Sequence, residues 1–171
     1  MRDQPLKVCF LAGGWRASTL ALLIGLLAAC SGIKTYPDMP EKNLQVRTST
    51  DSGSIFSSVR ASLSISRVDA QCRTEYEGTV ALKKESVQVG IPVERWSYLV
   101  FHFSSSGFLS STVSTIAQAT LLKPRAGYRY DVEVTYRDDT YNVVIHESRT
   151  GTGNGREIAL RRLDACERSK A

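Results

Sequence analysis

The chain has 171 residues, 42% of them hydrophobic and 23% charged, which excludes a wholly disordered or low-complexity protein and suffices for one domain with a real core. Its formal charge of +5 does not point to nucleic acid: Arg2, Lys7 and Arg16 lie upstream of an apolar run, and the other cations are scattered, often beside acids as in RTEYE, VERW and YRDD. A mixed, solvated surface with no nucleic-acid partner is expected.

From Ala17 to Ala29 the chain holds 13 uncharged, mostly apolar residues. A helix crossing a bilayer core needs about 20, so the run is too short to span. It has the three parts of a secretory signal: a basic stretch ending at Arg16, an apolar centre of Leu, Ile and Ala, and small residues at the far end. A buried helix of a soluble domain is the competing reading. The run offers no polar face for it and ends in turn and linker residues.

The end of the run is more specific. Leu27-Ala28-Ala29-Cys30 resembles the lipobox of bacterial lipoproteins. The resemblance implies that residues 1–29 are a signal peptide cut between Ala29 and Cys30, that Cys30 receives a diacylglyceryl thioether, and that the new amino terminus is acylated. Burial of each acyl methylene contributes about 0.8 kcal/mol, so one chain binds reversibly while two or three anchor stably. The mature protein would then reach the membrane through the lipid on Cys30, without a transmembrane helix. Ser31, being other than Asp, implies by the same resemblance transport to the outer membrane; a domain facing the periplasm is the expectation adopted, with the cell surface as the alternative.

Residues 30–43 follow as the lipidated Cys and a tether. The sequence SGIKTYPDMPEKN contains Pro37 and Pro40 and has no periodicity, and 13 extended residues reach at most about 45 Å.

From Leu44 to the end, period-2 runs predict a single all-β domain, an antiparallel β-sandwich of about seven to eight strands over 44–171. SVRASLSISRV puts Val59, Ala61, Leu63 and Ile65 on one face, and YEGTVALK alternates around Val80 and Leu82. WSYLVFHF is apolar on both faces, as a central, doubly covered strand should be. TVSTIAQATLL alternates and then turns apolar near Leu121. Gly90, Pro92, Gly107, Pro124 and Gly127 punctuate the runs at the spacing of an antiparallel sandwich.

The stretch from Tyr128 to Glu147 predicts a hairpin with its register. Tyr136 opposite Tyr141 pairs Val134 with Val143 and Val132 with Ile145, so every pair on that face is apolar. A slip by one residue would break the set. Arg137 to Thr140 forms the connection. Asp131 then faces His146, either an acid and imidazole pair suited to proton transfer or, the favoured reading, a cross-strand ion pair on the wet face.

With Cys30 lipidated, Cys72 and Cys166 remain as an even pair, for which a disulfide is the natural state in an oxidising compartment. Zinc is the alternative. Two cysteines with only His102 and His146 make a poor ligand set at no metal-binding spacing, so no metal and no cofactor are expected.

Three further stretches invite chemistry. GTGNG, residues 151–155, precedes REIALRRLDA and could cradle a phosphate, but Arg156 stands where a third Gly is needed and no Lys-Ser/Thr follows. A turn between strands is the simpler account. Residues after it fit either period, a last strand ending near Cys166 suiting the fold better. FSSSGFLSST offers serines but no nucleophile elbow, and reads as a surface loop. Phe108 and Leu109 within it either cover the open end of the sandwich or, as apolar loop tips, bind a partner or dip into lipid.

No catalytic constellation emerges. The expected function is that of a non-catalytic, outer-membrane-anchored lipoprotein that binds or scaffolds an envelope protein partner. A periplasmic small-ligand carrier or hydrolase with a site invisible to the sequence is the alternative, and it would need a concave pocket with convergent polar groups. In plan alone, the expected domain resembles the small transthyretin-like or immunoglobulin-like sandwich lipoproteins, such as that of type VI secretion; no motif carries this likeness, and fold does not imply function.

Overall fold

A computed structural model describes residues 33–50, 57–107, 113–137, 140–153 and 155–168. The chain divides into two units, Met1–Ile33 and Lys34–Ala171, and the second is the sandwich. Cys30, Phe108 and Leu109 lie outside the described residues. Among those residues no helix is long and apolar enough to cross a membrane.

Among the described residues nine strands form two sheets. β1 (Leu44–Thr50), β4 (Ser86–Val89), β7 (Tyr128–Arg137), β8 (Thr140–Arg149) and β9 (Gly155–Ile158) make a five-stranded sheet in the order β4-β1-β7-β8-β9. β2 (Ser57–Val68), β3 (Thr74–Ala81), β5 (Ser97–Gly107) and β6 (Val113–Leu122) make a four-stranded sheet in the order β3-β2-β5-β6. All pairings are antiparallel except β1 with β7, which run parallel from Leu44 opposite Tyr130 to Thr50 opposite Tyr136.

The alternation read from the sequence builds the core. Leu63, Ile65, Leu99, Phe101 and Phe103 from the four-stranded sheet meet Val46, Val132, Val134, Val143 and Ile145 from the five-stranded one. Fully burying each such side chain contributes roughly 1.5 to 3 kcal/mol. The hairpin has the expected register throughout: Tyr136 faces Tyr141, Val134 faces Val143, Val132 faces Ile145, and Asp131 faces His146. Arg137 and Thr140 are themselves paired, so the connection is two residues shorter than the expected four. β5 is interior to its sheet, as WSYLVFHF predicts, but it is doubly covered only at its start, where Tyr98 packs outward with Trp96, Val68 and Leu121.

That outer cluster is closed by the chain's end. α1 (Asp164–Arg168) brings Cys166 to Cys72, and the two form a disulfide with Cα atoms 5.9 Å apart. Cys72 sits at φ 64°, inside a turn held by Asp69. Asp69 Oδ1 accepts the backbone N–H groups of Gln71 and Arg73 at 2.8 and 2.9 Å, and Oδ2 accepts Arg73 Nε at 2.8 Å. These bonds, the Arg73 amide foremost, hold its carboxyl below the usual range despite some desolvation.

Three expectations are corrected. Residues 34–43, assigned to a flexible tether, are docked on the domain. Tyr36 is buried in the core, its N–H bonds Thr79 O at 3.1 Å, and Thr79 N–H bonds Lys34 O at 2.8 Å. The docking depends on Gly78, at φ 152°, where a Cβ would lie 2.5 Å from Tyr36 Cα and N, and on Gly90, where one would lie 2.2 Å from Glu41 O. The buried Asn43 side chain completes it, donating to Ile91 O at 2.8 Å and accepting from Ile91 N–H at 2.9 Å. Second, the serines 104–106 extend β5 rather than forming a loop, because β6 continues to pair with them. Third, the last strand is short; the chain leaves β9 at Ile158, so Cys166 lies on a helix and not near a strand end.

Candidate functional site

The strand period decides which polar side chains face solvent. Asp131 and His146 point to the outer surface of the five-stranded sheet, over a shallow depression of about 510 Å³ rimmed by the 149–155 turn. Arg47, on the neighbouring parallel strand, donates to Asp131 Oδ1 at 3.2 Å, and Arg129 Nε lies 3.9 Å from the same atom. Parallel pairing of β1 with β7 sets Gln45 opposite Asp131 and so brings Arg47 within diagonal reach. Asp131 is thus engaged by arginine, and the wet-face ion pair is the arrangement present, with guanidinium in place of imidazole as its cation.

GTGNG joins β8 to β9 as a turn, closed by Thr152 N–H bonding Arg149 O at 3.0 Å and Thr152 Oγ1 bonding the same oxygen at 2.7 Å. A strand follows it, which removes the helix N-terminus that a phosphate loop requires. Among the described residues no group of three or more His, Cys, Asp and Glu is placed to hold a metal ion.

The more constructed site lies at the sandwich edge where β6 and β9 come together. A cleft of about 390 Å³ has a floor of Trp96, Leu122, Ile145 and Ile158 and a rim of Lys123, Arg125, Arg156 and Arg161. At its base is Glu147. The β8 burial pattern puts this carboxylate in phase with Val143 and Ile145, facing inward, with only 7% of its surface exposed. An unpaired carboxylate there would be costly.

Five donors compensate it. Oε1 accepts Tyr130 OH at 3.0 Å and Arg125 Nε at 3.1 Å; Oε2 accepts Arg125 Nη2 at 2.7 Å and Arg156 Nε and Nη2 at 3.1 and 2.9 Å. Burial pushes the Glu147 carboxyl up, but the hydrogen bonds from Arg125, Arg156 and Tyr130 outweigh it and leave the group below the usual carboxylate range. Burial and the bond to Glu147 push the Tyr130 phenol up. Arg125 also stacks on Tyr128, its Cζ 3.8 Å from the ring centroid.

This arrangement is an anchor. Every lone-pair direction of the carboxylate is used, so Glu147 is not poised to take a proton from a ligand. It ties β8, β9 and the 123–127 connection into one corner. The C-terminal stretch then crosses to β6, where Leu121 N–H bonds Arg161 O at 2.8 Å and Arg161 N–H bonds Thr120 Oγ1 at 3.0 Å. What the cleft offers chemically is an apolar floor under a charged rim on which Lys123 faces Glu94 and Arg125 and Arg156 are held by Glu147.

The structure brings Cys72 and Cys166 together and sets Asp131 beside arginines. Glu147, Tyr130 and their arginines form no motif that a sequence pattern marks as a site. The alternation NVVIHE does carry one signal, an acid on the inward set of a well-registered strand. The arginines carry none, since their reach depends on the β8–β9 pairing and on the course of the connection after β6. No protein-family model, curated protein or solved structure matches the chain.

Proposed function

We propose that this chain is a lipoprotein, anchored in the outer membrane through Cys30 and facing the periplasm, whose sandwich binds or scaffolds an envelope protein partner without catalysing a reaction. The observation that carries this reading is Leu27-Ala28-Ala29-Cys30 at the end of a 13-residue apolar run behind basic residues. The Cys72–Cys166 disulfide supports it, being the state expected of an exported pair. The saturation of Glu147 and the engagement of Asp131 support a binding role over proton transfer, because both carboxylates are already committed to arginines.

Two measurements test the reading. Cys30→Ala should abolish incorporation of labelled palmitate and leave unprocessed or mislocated protein; continued labelling refutes the anchor. Crosslinking in intact envelopes followed by purification should return one stable protein partner. An empty result with membranes preserved contradicts the scaffold role.

A further inference from the structure

We propose that the basic end of the sandwich, carrying the disulfide and α1, rests against anionic phospholipid headgroups and directs the opposite end toward the partner; this rests on the lipidation of Cys30. Little chain separates the anchor from the domain. Lys34 is already bonded to Thr79, so the four steps from Cys30 to Lys34 reach at most about 14 Å. A domain on so short a leash stays within a few Debye lengths of the surface.

The direction of the docked segment selects the end. Thr35 bridges Thr79 in parallel, so the chain enters from the Thr74 side of β3 and runs toward Ala81. Thr79 pairs with Ser64, four residues from the Val68 end of β2 and seven from its Ser57 end, so the point of entry lies nearer the Thr74 side; there the Lys34 carbonyl accepts the Tyr76 hydroxyl at 3.2 Å as well. The Thr74 side is the end where β2 stops, β5 starts, β6 stops, β7 starts and β8 stops. Its connections are 69–73, 90–96, 123–127 and 150–153, with the covering stretch 159–163.

Charge separates the two ends. Those five stretches and α1 hold seven cations, Arg73, Arg95, Lys123, Arg125, Arg161, Arg162 and Arg168, against four acids, Asp69, Glu94, Asp164 and Glu167; Arg73, Arg95, Lys123 and Arg125 already face Asp69, Glu77, Glu94 and Glu147, so the exposed Arg161 and Arg162 carry most of the excess. The connections toward the other end, 51–56, 82–85, 108–112 and 138–139, hold two lysines against four acids. The anchored end is therefore the one that an anionic surface attracts, and the acidic end is the one it repels.

Trp96 provides the probe, because it stands in the 90–96 connection and is the sole tryptophan once residues 1–29 are removed. The purified lipidated protein is reconstituted into vesicles of phosphatidylcholine and phosphatidylglycerol carrying a dansyl-headgroup acceptor. Trp96 should transfer energy at least threefold more efficiently than the tryptophan of a Trp96→Phe, Arg137→Trp variant, about 30 Å away along β7. Equal or stronger transfer from position 137 overturns the orientation.

A second arm needs no anchor. Residues 31–171 contain the whole folded unit Lys34–Ala171. They should sediment with the same anionic vesicles at low salt and not with phosphatidylcholine alone, and Lys123→Glu, Arg161→Glu, Arg162→Glu together should weaken partitioning by about tenfold or more. No binding, or binding unchanged by the three reversals, overturns the lipid-facing surface. Mass spectrometry of the cellular protein separates the two readings: unmodified Cys30 sinks the lipidation, while the vesicle arm still judges the surface.

Discussion

Tyr130 and Glu147 face each other across β7 and β8, and the phenol donates to the carboxylate at 3.0 Å inside the sandwich edge. Both belong to inward sets otherwise composed of apolar side chains, so an acid and its partner occupy a place that packing would give to valine and leucine. The pair holds the 123–127 connection as well, since Arg125 N–H bonds Tyr130 OH at 3.0 Å. One corner of the fold is thus organised by a charge rather than by area.

Removal of that charge should be felt. Hydrogen bonds to charged groups contribute about 1.5 to 3 kcal/mol net, and the exposed arginines regain water when released, so Glu147→Gln should cost about 2 kcal/mol. Tyr130→Phe, which leaves both arginines in place, should cost about 1 kcal/mol. Urea unfolding of the two variants checks the order, and an unchanged midpoint for Glu147→Gln would contradict the anchor.

The pH dependence follows from the same group. Glu147 has a folded-state pKa below its unfolded value near 4.5, so its contribution is fully present above that value and is lost as pH falls through the lowered folded pKa. The stability difference between wild type and Glu147→Gln should therefore be constant above about pH 5.5 and shrink steadily below pH 4.5. Thermal unfolding across this range measures it; a difference that grows on acidification would reverse the sign.

Much of this corner was half legible. The hairpin register could be read pair by pair because tyrosines and valines alternate without interruption, and the inward phase of Glu147 follows from it. The disulfide followed from parity and compartment. What the sequence could not show was non-local: the parallel pairing of β1 with β7, the arginines that reach Glu147, and the docking of residues 34–43. Tyr36 and Asn43 lie among prolines and charges with no periodicity, and they are buried only because Gly78 and Gly90 leave room for a backbone from elsewhere in the chain.

Filling that room should release the segment. Gly78→Ala puts a Cβ 2.5 Å from Tyr36 backbone atoms at a φ of 152°, and neither backbone can yield as a flexible side chain would. The Tyr36 amide should lose protection from hydrogen exchange, with a stability loss of about 1 to 3 kcal/mol. Exchange as slow as in wild type would show that the docking does not need the glycine. The same variant lengthens the free leash and should weaken the orientation of the domain on vesicles.

Reduction tests the covalent closure. Cys72 and Cys166 are separated by 94 positions, for which the loop-entropy estimate is about 4 to 5 kcal/mol, an upper bound. Cys72→Ala, Cys166→Ala should lower the urea midpoint substantially and steepen the slope, because the unfolded chain is no longer cross-linked, and should free α1 from the Trp96–Tyr98 cluster. A midpoint insensitive to the loss would mean the C-terminal stretch is held by its bonds to Thr120 and Leu121 alone.

Everything proposed about place and partner depends on one thiol. Intact-mass and N-terminal peptide analysis of the protein purified from cell envelopes should find a mature chain beginning at Cys30, its sulfur carrying diacylglycerol and its amine acylated. A chain that retains residues before Cys30, or begins elsewhere with Cys30 unmodified, would contradict the account.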